Sequence, residues 1–316
     1  MKVLITGVAG FVGSHLAESL LTDGHEVVGV DSLTNYYSPT TKLGNLATAE
    51  QDDKFTFLQQ DILDLTPDHI GGTDVCIHLA GQPGVRDSWN QFDLYTRQNL
   101  VATQHLAQVL SAAGVSRMVF ASSSSVYGDQ TSYPCRETDT LLPRSPYGVT
   151  KLGGEYLLRA FSSSFELEVI ALRFFTVYGP RQRPDMATQR LITAALTGGA
   201  FNLFGNGTAR RDFTYVEDVV DACRRSVDAV LPERFTAVNI GGTGETSMSQ
   251  LVEQIEELTG RKIQLRVTAK QLGDVDRTGA DFSKAHRILG WSPTRTLQYG
   301  LEQQVLHVLH QLPQGD

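Results

Sequence analysis

Short apolar runs alternate along this chain with longer stretches whose apolar residues recur every three or four positions. The runs at 2–6, 26–30, 55–59, 75–79, 117–121, 169–173 and 237–240 read as buried strands, being brief, apolar and bounded by glycine or polar residues. Residues 12–23 carry helical spacing (Val12, Leu16, Leu20, Leu21) and stop at Gly24, where a helix would end. Further helical patterns lie near 93–113, 147–163 and 186–197. Alternating strand and helix predicts parallel βαβ units in an α/β, doubly wound parallel sheet. After Arg173 the rhythm gives way to loops rich in Gly, Pro and Arg, followed by a short helix at 247–259 and a tail at 282–308. The expected organisation is a nucleotide-binding domain over 1–172, to which the chain returns near 211–241, and a smaller C-terminal α/β substrate domain mainly over 173–316.

Composition narrows the function. The 41% hydrophobic and 20% charged content is that of an ordinary globular protein. A net charge of −8 argues against a nucleic-acid surface, which needs clustered Lys and Arg, so a polyanionic ligand must meet a local basic pocket. Three cysteines (Cys76, Cys135, Cys223) without ligand spacing lead us to expect no metal site and a reduced, cytoplasmic setting. The opening MKVLITG is too short for a signal segment, and no apolar run is long enough to span a bilayer, so no anchor is expected.

The turn GVAGFVG joins the first strand to its helix. There Gly7, Gly10 and Gly13 allow a tight turn, and the backbone at Phe11 and Val12 can approach a pyrophosphate favoured by the helix N-terminus. Asp31 ends the next strand, where a carboxylate accepts ribose hydroxyls and repels a 2′-phosphate; turn and Asp31 together favour NAD over NADP in a Rossmann-type sheet. Asp61 and Ile62 are placed to flank an adenine. Leu79 and Ala80, with Gln82 just beyond, end a strand at the ligand-binding edge, and Asn99 is a further candidate contact.

Tyr147 and Lys151, four apart in SPYGVTK, share one helix face. Upstream, ASSSSVYG places Ser123 just after a buried strand. Oxidation of a secondary alcohol needs a base for the hydroxyl proton. A tyrosine of pKa about 10 must drop by roughly 3 units to serve near neutrality, about 4 kcal/mol. A cation about 4 Å away at an effective dielectric of about 20 supplies that much, and Lys151 is the expected cation, helped by oxidised nicotinamide. Ser123 would orient the substrate oxygen.

With these residues in view, the chain resembles the extended short-chain dehydrogenase/reductase family and, within it, the UDP-glucuronate 4-epimerases. The likeness runs through GVAGFVGSHL, DSLTNYYSPTTK, HLAGQPGVRDS, ASSSSVYG, SPYGVTK, LRFFTVYGPRQRPDMA, RRDFTYVEDVV and GADFSKAHRILGW. It implies a Rossmann-type sheet with a small C-terminal substrate domain, and a homodimer formed through the 93–113 and 147–163 helices. It assigns Ser123, Tyr147 and Lys151 as the catalytic set, Asn35 and Lys42 as adenosine-side contacts, and Phe175 as a neighbour of the nicotinamide. Phe204 matches a position that packs on uracil, and Arg211 a diphosphate ligand, for which a guanidinium fork is suited. The chain departs from many hexose epimerases at Gln271-Leu272-Gly273-Asp274, where an arginine phosphate contact is missing; Arg277 is the expected substitute.

Related 4,6-dehydratases carry Asp-Glu after the catalytic Thr, and decarboxylating relatives a Glu. Here Ser124 and Ser125 stand there, which favours plain epimerisation. Arg86 and Arg183 are cations for a C6 carboxylate, with Ser124, Ser125 and Thr176 as neutral donors. The reading is a UDP-glucuronate 4-epimerase with bound NAD. A UDP-glucose or UDP-N-acetylglucosamine 4-epimerase is the alternative, and a non-catalytic NAD-sensing protein is a reading of another class.

Overall fold

The computed structural model describes residues 1–312; the last four residues of the expected 173–316 segment lie outside the described residues. In chain order the first half contains β1 (Lys2–Thr6), α1 (Phe11–Thr22), β2 (Glu26–Asp31), α2 (Pro39–Leu46), β3 (Phe55–Gln59), β4 (Val75–His78), α3 (Phe92–Thr96), α4 (Ala102–Ala112), β5 (Arg117–Ser123), α5 (Pro146–Ser164) and β6 (Glu168–Phe174). The second half continues with β7 (Thr176–Tyr178), α6 (Ala187–Thr197), β8 (Ala200–Phe204), β9 (Arg210–Tyr215), α7 (Val216–Arg225), β10 (Phe235–Ile240), β11 (Glu245–Ser247), α8 (Met248–Thr259), β12 (Gln264–Thr268), α9 (Ser283–Leu289) and α10 (Leu297–Gln311).

Seven parallel strands form the main sheet in the order β10-β6-β5-β4-β1-β2-β3. Its central strands are buried on both faces, as parallel sheets require: every residue of VCIH in β4 is buried, and FTAVNI of the edge strand β10 is covered as well. On one face the core gathers Leu16 and Leu20 of α1 with Val216 and Val219 of α7 and Trp291; on the other it gathers Leu106 and Leu110 of α4 with Leu158 of α5. The strand order reverses between β1 and β4, so the carboxyl ends of β1, β2, β4 and β5 open onto one crevice.

The anticipated strands all form, four of them one or two residues longer than their apolar runs and β4 one residue shorter, and β5 extends to Ser123 itself. The 93–113 helix is continuous but carries a π-helical segment, Arg97–Val101, between α3 and α4. Beyond Arg173 the expected loops contain more structure than foreseen. β7, β9 and β11 form a three-stranded sheet, and β8 pairs with β12 in a two-stranded one. These strands span only three to six residues, and β12 is exposed at all five positions, so no alternation marks it. Among the described residues, no helix is long and apolar enough to cross a membrane.

Candidate active site

A single cleft of about 850 Å³ runs from the β1–α1 turn, over the ends of β4 and β5, to the loops after β6 and β8. At its cofactor end Gly7 sits at φ +73°, and a Cβ there would lie 2.7 Å from the Ala80 amide nitrogen. A Cβ on Gly13 would collide with the Gly7 carbonyl and lie 2.8 Å from Val8 Cα. These glycines let the start of α1 close on the strand ends, where a side chain has no room. Gly10 caps α1 without any side-chain hydrogen bond, leaving first-turn N–H groups free for an anion.

Asp31 ends β2 and accepts hydrogen bonds from the amides of Ala9 (3.2 Å) and Leu33 (2.9 Å), which orients its carboxylate at the cleft wall. Burial raises its pKa, against those two amides and nearby Lys42. Lys42 donates to the carbonyl and hydroxyl of Thr34, bracing the loop after β2. Asp61, Ile62, Leu79, Ala80 and Gln82 line the same end. The cradle suits a dinucleotide with free ribose hydroxyls: the helix start takes the pyrophosphate, and the fixed carboxylate of Asp31 disfavours a 2′-phosphate.

Ser123, Tyr147 and Lys151 converge on the middle of the cleft. Ser145 caps α5 by accepting from the Gly148 amide at 3.1 Å, with Pro146 at the first helical position, so Tyr147 is fixed in the opening turn. Burial raises the Tyr147 pKa; the Ser123 hydroxyl and the Arg183 guanidinium oppose it. Lys151 lies on the same face of α5, but its Nζ donates to the Ala121 carbonyl at 2.9 Å, and burial pushes its pKa down to about 8. The helix spacing aligns the two residues, while the long lysine stem reaches across to the end of β5.

Behind this centre lies a buried polar frame. Ser122 Oγ donates to Glu155 at 2.5 Å, and Arg173 donates to both Glu155 oxygens (2.9 and 2.7 Å) and to Tyr127 Oη (2.9 Å). It ties α5 to β5 and β6. His78 hydrogen-bonds Thr6 and Thr103 through its two ring nitrogens, and burial, with Lys151 nearby, pushes its pKa down to about 3.

Beyond this centre, Ser124, Ser125, Phe175, Thr176 and Arg183 line the cleft. Arg183 is held by Asp185 through Nε and one terminal nitrogen, both at 3.0 Å, and Tyr36 Oη donates to Asp185 at 3.3 Å. Tyr36 and Asp185 are site residues the sequence reading missed; both fall inside quoted motifs, but only the fold brings residue 36 to residue 185. Arg86 also lines the cleft, with its side chain committed to neighbours. Its guanidinium stacks 3.9 Å from the Phe204 ring centre and pairs with Asp274 at 3.3 Å, close to Arg211. Burial lowers the Arg211 pKa, with Asp274 and Asp276 opposing.

Three expected contacts lie outside the lining of this cleft. Asn99 turns inward at the π-helical segment, bonding the Gln82 amide (2.7 Å), the Gln82 carbonyl (3.1 Å) and Thr150 (3.0 Å), so it shapes the wall from behind. Arg277 is committed to Glu245 (2.6 and 3.0 Å) and stacks on Tyr133, which leaves it unsuited to replace the missing phosphate arginine. Asn35 is exposed on the loop between Thr34 and Tyr36, both of which line the cleft. Among the described residues, no group of three or more His, Cys, Asp or Glu side chains could hold a metal ion.

Comparison with known proteins adds the following. The family model described as GDP-mannose 4,6 dehydratase matches residues 4–304. The chain is 42% identical to a protein of Bacillus subtilis named as an uncharacterized UDP-glucose epimerase, YtcB, over 100% of both chains. The crystal structure of UDP-glucuronic acid 4-epimerase from Bacillus cereus, in complex with UDP-glucuronic acid and NAD, superposes with a TM-score of 0.95 at 37% identity, covering 99% of this chain and 100% of that one. MoeE5, solved with NAD and either UDP-glucuronic acid or UDP-glucose, superposes with a TM-score of 0.90 at 40% identity; the coverage of this chain is 99% and 98%, and of MoeE5 100% and 99%.

Proposed function

The chain belongs to the GDP-mannose 4,6-dehydratase family of extended short-chain dehydrogenases, and from that premise we propose that it is an NAD-dependent UDP-sugar 4-epimerase acting on UDP-glucuronate. The observation that carries the reading is the placement of Ser123, Tyr147, Thr176 and Arg183 on one cleft that also contains the glycine turn. The names of similar proteins support the general activity, and the Bacillus cereus enzyme supports the uronate.

Gly7, Gly10 and Gly13, the first turn of α1, Asp31, Asp61 and Ile62 would hold NAD, with Phe175 toward its nicotinamide. Bound there, NAD supplies reversible hydride acceptance at C4′ of the sugar. The protein's part is proton transfer and restraint. Ser123 Oγ holds the C4′ oxygen while Tyr147 Oη takes its proton, later returning it to the oxygen on the opposite configuration. Lys151, on the same face of α5 as Tyr147, would stabilise the ionised phenol, helped by oxidised nicotinamide. Lys151, tethered to Ala121, keeps positive charge at the cleft floor. Phe204, already covered on one face by Arg86, would pack on the uracil, and Arg211 would hold the diphosphate.

For a uronate, the 4-keto sugar is a β-keto acid prone to lose CO₂. Ser124, Ser125, Thr176 and Arg183 would hold its carboxylate near the ring plane, where the breaking bond overlaps poorly with the carbonyl. No carboxylate follows Ser123 to act as acid or base at C5 or C6. We also propose a homodimer through α3, α4 and α5, where Phe92, Val101, Val149 and Tyr156 are exposed, and a cytoplasmic setting, which the three free buried thiols fit.

Purified protein incubated with UDP-glucuronate and followed by proton NMR is expected to form UDP-galacturonate with no pentose product. Appearance of a UDP-pentose, or turnover of UDP-N-acetylglucosamine alone, would overturn the assignment.

A further inference from the structure

Arg183 is already matched by a carboxylate of its own chain. Asp185 grips the Nε edge of its guanidinium at two 3.0 Å contacts, and a terminal nitrogen also meets Met186 Sδ at 3.2 Å. The other terminal nitrogen has no hydrogen-bond partner among the described residues, so one donor edge is left over. Asp185 is itself fixed from the cofactor side of the cleft by Tyr36 Oη, and the Arg183 guanidinium lies 5.9 Å from the Tyr36 ring centre. All three residues line the cleft, and the Arg183 side chain is only 20% exposed.

A bare, part-buried arginine facing C6 would choose strongly between substrates. It would attract a carboxylate, and a neutral sugar would seal it away from water with its charge unmatched. Pairing removes both extremes. With Asp185 in place, a hydroxymethyl group meets a hydrogen-bond donor without stranding a cation, and a carboxylate meets a donor edge whose net attraction is reduced. We infer that Asp185, steadied by Tyr36, is a specificity-determining residue that opens this site to UDP-hexoses bearing either a hydroxymethyl or a carboxylate at C6. The inference rests on the reading above that C6 of the sugar lies against Arg183.

The test is calorimetric binding of UDP-glucuronate and UDP-glucose to the NAD-loaded protein, read as the ratio of the two dissociation constants. The unaltered protein is expected to bind both within about tenfold. Asp185→Asn, nearly equal in shape, should shift the ratio toward UDP-glucuronate by about tenfold, or roughly 1.4 kcal/mol. Tyr36→Phe, which removes one hydroxyl and decides the matter should Asp185→Asn fail to fold, should shift it the same way by about two- to threefold. In an Arg183→Gln background the Asp185→Asn shift should vanish, because the coupling runs through the guanidinium. An unchanged ratio, a shift toward UDP-glucose, a shift that persists without Arg183, or an unaltered protein that binds one sugar alone would each overturn the inference. Binding of both sugars without turnover would instead refute the epimerase reading while leaving the ratio to decide this one; binding of neither would overturn both.

Discussion

At the cofactor end of the cleft, three glycines within seven residues bring backbone against backbone, whereas at the sugar end charged side chains from distant segments are held in pairs. Gly7, Gly10 and Gly13 form a contiguous stretch, and what they require is the absence of atoms. Arg183 with Asp185 and Tyr36, and Arg86 with Phe204 and Asp274, draw on residues up to 188 positions apart. The first arrangement tolerates almost no change, because backbone atoms cannot step aside. The second can be retuned one side chain at a time, and on the proposed reading substrate preference would be set there.

The largest effect is therefore expected at the glycine turn. Gly13→Ala drives a methyl into the Gly7 carbonyl and Val8 Cα, and NAD affinity should fall at least a hundredfold by titration, or the fold should be lost. Gly44→Ala, inside α2 with open space around the added carbon, should leave NAD affinity unchanged and raise the melting temperature slightly. If Gly13→Ala bound NAD normally, the cofactor end would be no stricter than the sugar end.

A smaller and more selective effect is expected from the two arginines. Arg183→Ala should lower kcat/KM for UDP-glucuronate by about tenfold to a hundredfold, and for UDP-glucose by only a few-fold, since a charge-assisted hydrogen bond contributes roughly 1.5–3 kcal/mol. Arg86→Ala, which uncovers Phe204 at the nucleotide end, should weaken both substrates alike by about tenfold or less. Steady-state kinetics with the two sugars separates them. Equal losses in Arg183→Ala would count against its carboxylate role, and a uronate-selective loss in Arg86→Ala would return that residue to the sugar end.

The same contrast explains what could be read from the chain alone. The parallel sheet was legible because its central strands are buried on both faces and its helices keep a single apolar stripe; the edge strand β3 is only partly covered, yet its apolar residues still marked it. The cofactor cradle was legible because glycine spacing and a strand-terminal Asp31 encode it locally. α7 went unnoticed although Val216, Val219, Val220 and Cys223 follow helical spacing, since it begins directly after the charged strand β9. β12 carried no pattern to find, being exposed throughout. For Arg86 and Arg277 the residue type was visible but its partner was not. A guanidinium goes wherever the fold supplies a carboxylate or a ring, and Asp274, Phe204, Glu245 and Tyr133 are distant in sequence. Asn99 was misplaced for a related reason: the π-helical segment turns it toward Gln82 and Thr150.

The central claim is that the phenol of Tyr147, beside Ser123 and Arg183, moves the proton in the reaction. Tyr147→Phe removes that oxygen alone, and its turnover of UDP-glucuronate tests the claim most directly. The account predicts that kcat falls by at least about a thousandfold, the upper range for loss of a general base, while NAD and UDP-glucuronate still bind within a few-fold of normal. Turnover within tenfold of the unaltered protein would contradict it.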